Sequence, residues 1–487
     1  MTGHTNNSGG FFARFFASRP EPTKYPADLP SAGPALDSTA EAPLAPAPPE
    51  FAADETPRVD SAAKTGAELA DVTSLAELTT MRVGGGFERL LVAETAAELA
   101  EHAAALWDSG EDWLLLGGGS NTLVSDAGYP GTVLLVRNTG IEVVPDVTLP
   151  AGKVRVRVQA GHDWDELVAW SVQQGYAGIE MLSGIPGLAG AAPVQNIGAY
   201  GGEVAQVLDS VTWYDRDWGQ VREIAAADLH LSYRDSILKQ GYEAVILSLD
   251  LVLQDNSAQP EPQSQPVVFP QLAKALEVRL GATVPLTAVR RAVLQVRARK
   301  GMVLNEADHN SWSCGSFFTN PIVTEKFART LPADAPRFAM QQQRESDLVT
   351  TFEELAAGEE LRLQGFGGAD AAGFGGAADS GADADYGAAA PGGVAGADAG
   401  AAWTEPRQEP QVKLSAAWLI EHAGVRRGFR LPGSGAAVSD FHTLAITNRG
   451  GASAADVAEL ARYIVSMVQT EFGVILVPEP NIYGLEI

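Results

Sequence analysis

Sulfhydryl chemistry is almost missing from this chain. Cys314 is the one cysteine in 487 residues, so no intrachain disulfide can form and a cysteine-based metal cluster is excluded. With no His-rich motif beside it, Cys314 reads as a packed bystander. Positive charge is also scarce: 34 Lys and Arg stand against 61 Asp and Glu, a formal net charge of -27. That balance argues against nucleic acid or an anionic membrane surface as the principal partner. A phosphate-bearing ligand would have to be held by backbone amides or by a local basic pocket. The 7 histidines show no metal-ligand spacing, and no metal is expected. Long hydrophobic runs are absent too, none approaching the ~20 apolar residues of a membrane span. Phe11, Phe12, Phe15 and Phe16, interrupted by Arg14, do not make the apolar core of a signal peptide. The expectation is a cytoplasmic protein without membrane insertion, long enough for two or three domains.

Two segments lack the composition of a folded core. Residues 1–70 are rich in Pro, Ala, Ser and Glu, with a run from Ala42 to Pro49, and cannot bury enough apolar surface to offset their ordering entropy. A disordered tail is expected there, its Phe cluster being either a docking peptide or an unstructured end. Residues 365–410 are dominated by Gly, Ala and Asp, and no Lys or Arg occurs between Arg362 and Arg407. This reads as a flexible acidic insert.

Between these segments the pattern is that of a folded protein. A short strand over Arg89–Val92 precedes a helix opened by a Thr95/Glu98 capping box, with Leu99, Ala103 and Leu106 on one face. Strands are expected over 113–116, 153–159, 211–214, 221–224, 244–253 and 474–477, and Asp163 caps a helix through Gln174. Residues 286–300 form a basic amphipathic helix with Arg290, Arg291, Arg297, Arg299 and Lys300 mostly outward, either a solvated face or a phosphate-facing one. Residues 412–420 read as a helix, and Ser453 with Asp456 opens the last one. Strands alternating with short helices, without a long βαβ rhythm, predict an α+β fold.

The densest signal runs from Gly178 to Glu203, where seven glycines and four alanines accompany only two carboxylates and no Lys or Arg. Small residues in such density let a backbone approach a large ligand closely; a ligand-free, tightly packed loop fits the composition equally well. Ile185-Pro186-Gly187 reads as a tight turn, and Gln195, Asn196 and Tyr200 are the long polar arms nearby. Upstream, the strand 113–116 runs into Gly117-Gly118-Gly119-Ser120-Asn121-Thr122, the form of a diphosphate cradle. It lacks the Gly-Lys-Ser/Thr ending of a nucleoside-triphosphatase loop and the spacing of a Rossmann fingerprint.

Read together, T-T-M-R-V-G-G (79–85), L-G-G-G-S-N (116–121), S-G-I-P-G with Q-N-I-G-A-Y-G (183–201), S-Y-R-D-S (232–236), G-S-F-F-T-N-P (315–321), K-L-S-A-A-W-L-I-E (413–421) and P-E-P (478–480) fall in one order. That series resembles the UDP-N-acetylenolpyruvoylglucosamine reductase (UDP-N-acetylmuramate dehydrogenase) family of peptidoglycan-precursor synthesis, from about Thr79 to Glu479. The tail and the insert stand outside the family pattern.

The resemblance implies an FAD-binding fold of the vanillyl-alcohol-oxidase (PCMH) type in two lobes, over 71–290. It implies a C-terminal α+β substrate-binding domain over 291–473 carrying the insert, and a terminal strand and tail, 474–487, returning to the active site. FAD would be held non-covalently, NADPH would be the co-substrate, and a UDP-sugar the substrate of a monomer. Gly117, Gly118, Gly119, Ser120, Asn121 and Thr122 would cradle the flavin diphosphate. Ile185, Pro186, Gly190, Ala191, Val194 and Gly198 would line the flavin, with Val245 and Arg297 completing its pocket. Tyr200, Lys300, Asn320 and His442 would touch the sugar nucleotide. Arg234, Ser316 and Glu479 match the catalytic positions: Arg234, with Glu479 assisting, to stabilise an enolate-like state, Ser316 to deliver the proton. Phe269 falls at or near a lid position that is tyrosine in some members; it can stack but cannot donate a hydroxyl hydrogen bond.

Overall fold

A computed structural model describes residues 46–339 and 409–487. Residues 365–408 of the expected insert and the first 45 residues of the expected tail lie outside the described residues. The chain divides into a larger unit, comprising residues up to 321, 334–336 and 414–487, and a smaller one of 322–333 and 337–413. In the smaller unit, strand Ile322–Thr324 pairs antiparallel with Gln411–Lys413 of the strand Gln411–Leu414, and a short helix, Glu325–Ala328, follows under a Thr324 cap.

Local chemistry explains the larger unit's elements. Helix Ala96–Ser109 opens on the Thr95/Glu98 capping box, buries Leu99, Ala103 and Leu106, and stops at Gly110 in the left-handed region. It lies beside a three-stranded parallel sheet ordered Phe87–Ala93, Tyr129–Val136, Trp113–Leu116. The central strand is a nearly continuous buried run, as a parallel strand covered on both faces requires. A second, antiparallel sheet is ordered Gln220–Ala225, Leu208–Asp215, Ala244–Asp255, Lys153–Gln159, Ile141–Val144. In Lys153–Gln159 the alternation predicted from Val and Arg is real. Val154, Val156 and Val158 are buried, while Arg157 forks onto Asp250 at 2.7 and 2.8 Å. The two sheets share one core, in which Leu134 from the first and Leu99 from the helix pack with Val156, Leu249 and Trp213 from the second. Burying each such side chain is worth about 1.5–3 kcal/mol.

Three expectations change. Residues 474–477 form no strand: Val474 and Leu476 are buried, Val477 O accepts Thr319 N–H at 3.0 Å beside a single bridge at Pro478, and the chain pairs as a strand only over Asn481–Tyr483. The prolines at 478 and 480 remove the donors that a ladder would need. Residues 411–414 are a strand, Val412 and Leu414 inward, and the helix begins after the Ser415 cap as Ala416–His422. Residues 46–70 are not a free tail: Asp60 N–H donates to Leu304 O at 3.0 Å, and Arg137 Nε to Lys64 O at 2.6 Å. Main-chain hydrogen bonds, which composition does not reveal, order this stretch.

Candidate functional site

Buried Leu114 and Leu116 anchor the strand Trp113–Leu116, which delivers Gly117-Gly118-Gly119 at its end. Arg137, buried against this loop, donates Nη1 to Gly117 O at 3.0 Å, and burial pushes its guanidinium down to about 10. Gly119 has φ +62°, and a Cβ on it would stand 2.2 Å from Leu78 O, so no other residue fits. A Cβ on Gly118 would lie 3.0 Å from the Cα of Gly187, in the second glycine-rich loop. Ser120 Oγ joins the two loops by donating to Pro186 O at 2.9 Å. Asn121 Nδ2 adds a bond to Gln195 Oε1 at 3.1 Å. Among the described residues, no acceptor takes the backbone N–H of Gly118, Gly119, Ser120 or Asn121. A bend of unclaimed main-chain donors fits a diphosphate.

The other expected flavin-lining residues divide. Ile185 and Pro186 are half-buried and follow Gly184, which is gripped on both sides. Asp165 Oδ1 accepts its N–H at 2.6 Å, and Arg297 Nε donates to its carbonyl at 3.2 Å. Asp165 is in turn forked by Arg290 at 2.7 Å twice. Arg290 and Arg297 thus turn inward from the helix Leu286–Ala298, two exceptions to the mostly outward basic face that the sequence predicts. Gly190 is tight against Ala160, where a Cβ would fall 2.6 Å from the alanine methyl. Ala191 is exposed, Val194 O accepts Ser236 Oγ at 2.6 Å, and Val245 is buried in the shared core.

Beyond the cradle, strand Thr122–Val124 pairs in parallel with Asn481–Tyr483, and Asn481 N–H donates to Asn121 O at 2.9 Å. This register carries Glu479 to the end of the glycine loop. Glu479 N–H donates to Phe317 O at 2.9 Å and Pro478 bridges Phe318, so Ser316, next to Phe317, lies on the same segment crossing. Arg234 reaches this place from the other side. Its Nε pairs with Glu479 Oε1 at 3.2 Å, Nη2 donates to Gly198 O at 3.0 Å and Nη1 to Asn196 O at 3.3 Å. Arg234 has φ +56°, a strained conformation for a long side chain, and Lys239 Nζ holds its carbonyl at 2.9 Å. Burial raises the Glu479 carboxyl, and the charges of Arg234 and Lys239 oppose that rise.

A cluster of basic side chains adjoins these groups. Lys300 Nζ donates to Gln271 Oε1 at 3.0 Å and stands 6.0 Å from the ring centre of Tyr200. Burial and the Arg297 charge push the Lys300 amine down. Burial, Lys300 and Arg297 bring His442 down to about 4, leaving a neutral imidazole. Phe269 meets Tyr200 edge-to-face at 5.6 Å. Asn320 is on the Arg234 side instead: Nδ2 reaches Tyr233 Oη at 3.5 Å and Oδ1 accepts Ala416 N–H at 3.0 Å.

Sequence reasoning left several site-forming residues unassigned. Asn196 and Gln195 stood out as polar arms, yet their roles emerge only from the fold: the Asn196 carbonyl holds Arg234, and Gln195 ties down Asn121. Arg137 and Lys239 gave no sequence signal. His162, whose carbonyl receives Ala189 N–H beside the second loop, has both ring nitrogens buried without a partner among the described residues. Cys314 is buried, its thiol pushed up to about 12, consistent with a packed role.

Comparison with known proteins adds an independent line. A family model described as FAD binding domain matches residues 87–225, and one described as UDP-N-acetylenolpyruvoylglucosamine reductase, C-terminal domain, matches 392–483. The UDP-N-acetylenolpyruvoylglucosamine reductase of Leifsonia xyli subsp. xyli is 48% identical over 420 residues, 86% of this chain and 100% of the relative. That of Saccharopolyspora erythraea is 38% identical over 419 residues, 86% of this chain and 96% of the relative. The crystal structure of the Thermus caldophilus UDP-N-acetylenolpyruvylglucosamine reductase covers 84% of this chain and 97% of its own, at 23% identity and TM-score 0.47.

Proposed function

Because the chain belongs to the UDP-N-acetylenolpyruvoylglucosamine reductase family, we propose that it reduces the enolpyruvyl group of UDP-N-acetylglucosamine enolpyruvate with NADPH, giving UDP-N-acetylmuramate. It is an FAD-dependent oxidoreductase of peptidoglycan-precursor synthesis. FAD, when bound, would supply the two-electron relay between NADPH and the enolpyruvyl double bond. The roles assigned to the chain's own residues draw support from their positions.

The unclaimed N–H groups of Gly118 to Asn121 would hold the cofactor's diphosphate, and Ser120 ties the two loops together. The Arg234 guanidinium stabilises negative charge as it collects on the substrate carboxylate and the adjacent carbon. It needs no reorganisation, because Gly198, Asn196 and Glu479 already fix its fork. Ser316 delivers the proton to that adjacent carbon; a hydroxyl, a poor acid in water, serves here only if held against its target. Tyr200, Lys300, Asn320 and His442 hold the sugar nucleotide, Lys300 as the cation for its phosphates. We assign 71–290 to the FAD-binding domain, 291–473 to the substrate-binding domain and 474–487 to the returning terminus, in a cytoplasmic monomer.

The observation that carries this reading is the 3.2 Å pair of Arg234 and Glu479, bound to Gly198 of the glycine-rich stretch and adjoining the Ser316 segment. The test is turnover by purified protein. Flavin absorption together with NADPH oxidation that requires the enolpyruvyl sugar is expected. Oxygen uptake with hydroxy acids in its place, or a protein colourless after added FAD, would overturn it.

A further inference from the structure

We infer that residues 60–64, which precede the family's sequence pattern, are part of the cofactor site: a clasp fastened to both walls of the diphosphate cradle. The first wall is the Gly117–Asn121 loop. Arg137 donates one guanidinium N–H to Gly117 O at 3.0 Å and another to Lys64 O at 2.6 Å, so a single buried side chain ties the clasp to that wall. The second wall is the Pro186–Leu188 loop. It is bridged to Asp163, with Trp164 N–H on Gly187 O at 3.0 Å, and Ser61 Oγ donates to Asp163 Oδ2 at 2.8 Å. Between these two fastenings Ala62 faces Gly118, where an added Cβ would meet the alanine methyl at 3.1 Å. Ala63 packs against the shared core.

The clasp is itself anchored upstream. Asp60 N–H donates to Leu304 O at 3.0 Å, and Asp60 Oδ2 accepts Glu306 N–H at 2.9 Å. Further back, Gln295 Nε2 donates to the carbonyls of Ala52 and Glu55 at 2.9 and 2.7 Å. A chain segment that joins the two walls opposes their separation, and a dinucleotide laid between them can leave only when they part. The clasp therefore acts on cofactor release more than on the hydride and proton steps, which lie at the Arg234 end.

This rests on the reading that the cradle holds the FAD diphosphate, and the experiment separates the two. In the full chain, Asp60→Ala and Ser61→Ala are combined, and release of FAD from holoenzyme diluted into excess buffer is followed by the rise in flavin fluorescence. Removing two attachments should speed release roughly five- to tenfold, while Ser61→Thr, which keeps the hydroxyl, should release at the parent rate. Unchanged release in the double variant, or a faster uptake of FAD by its apoprotein without faster release, would overturn the clasp and leave the cradle intact. Acceleration by Ser61→Thr equal to that of the double variant would also overturn it, pointing to general loosening. Failure of the parent protein to bind FAD would instead sink the reading of the cradle.

Discussion

On the proposed reading, the two ends of the site solve opposite problems. Apart from Arg137, which holds Gly117 from behind, and Asp163 beside the second loop, the cradle is built with little charge: glycines bring main-chain donors to one bend, and Ser120, Asn121 and Gln195 join the loops as neutral groups. The reaction end is crowded with charge, from Arg234, Glu479 and Lys239 to Lys300 and Arg297, and there burial shifts the ionisation of Glu479, Lys300 and His442. Neutral amides can be buried at modest cost and offer a permanent fit to a ligand that stays. Charged groups are expensive to bury, and the expense is useful only where charge develops and must be met at once. The lesson is a division of labour: backbone for retention, side chains for reactivity.

Substitutions should therefore fall into two kinds. Arg234→Ala should lower sugar reduction about 10³-fold while the purified protein keeps its flavin spectrum; loss of flavin along with activity would blur the division. Gly118→Ala should do the reverse. Its new methyl meets Gly187 and Ala62 at about 3 Å, so FAD affinity should fall roughly tenfold, with near-parent turnover at saturating FAD. Phe269→Ala removes an edge-to-face contact worth about 0.5–1.5 kcal/mol, so the sugar KM should rise a few-fold with flavin reduction untouched.

The smallest expected effect is on pH dependence. Burial raises the Glu479 carboxyl above its ordinary value of 4.5. The ionised form is the one that pairs with Arg234, so the pair is lost as pH falls through the raised value. Turnover should decline on the acid side at a pH above 4.5, and Glu479→Gln should flatten that limb in a pH–rate profile. His442, at about 4, is neutral above that value and should add no titration there.

Much of this was legible in the sequence because much of it is local. The Thr95/Glu98 and Ser453/Asp456 boxes and the Val–Arg alternation of 153–159 are decided by neighbours a few residues apart. The glycine loops could be recognised for the same reason, and motif order supplied candidates for the reaction end. What escaped depends on distant partners. Arg137 is an ordinary arginine until Gly117 and Lys64 converge on it, and residues 60–64 carry no apolar pattern to announce that they are held. The Val474–Val477 run looked like a strand, yet Pro478 and Pro480 leave it with a single bridge before Asn481. Inward-turned Arg290 and Arg297 likewise needed Asp165 and Gly184 to be seen.

The division between retention and reactivity is tested most directly by following the two half-reactions of Ser316→Ala anaerobically in a stopped-flow spectrometer. Bleaching of the flavin by NADPH should proceed at the parent rate, and its return on adding the enolpyruvyl sugar should slow at least ~10²-fold. Equal slowing of both steps, or an unimpaired return of colour, would contradict the account.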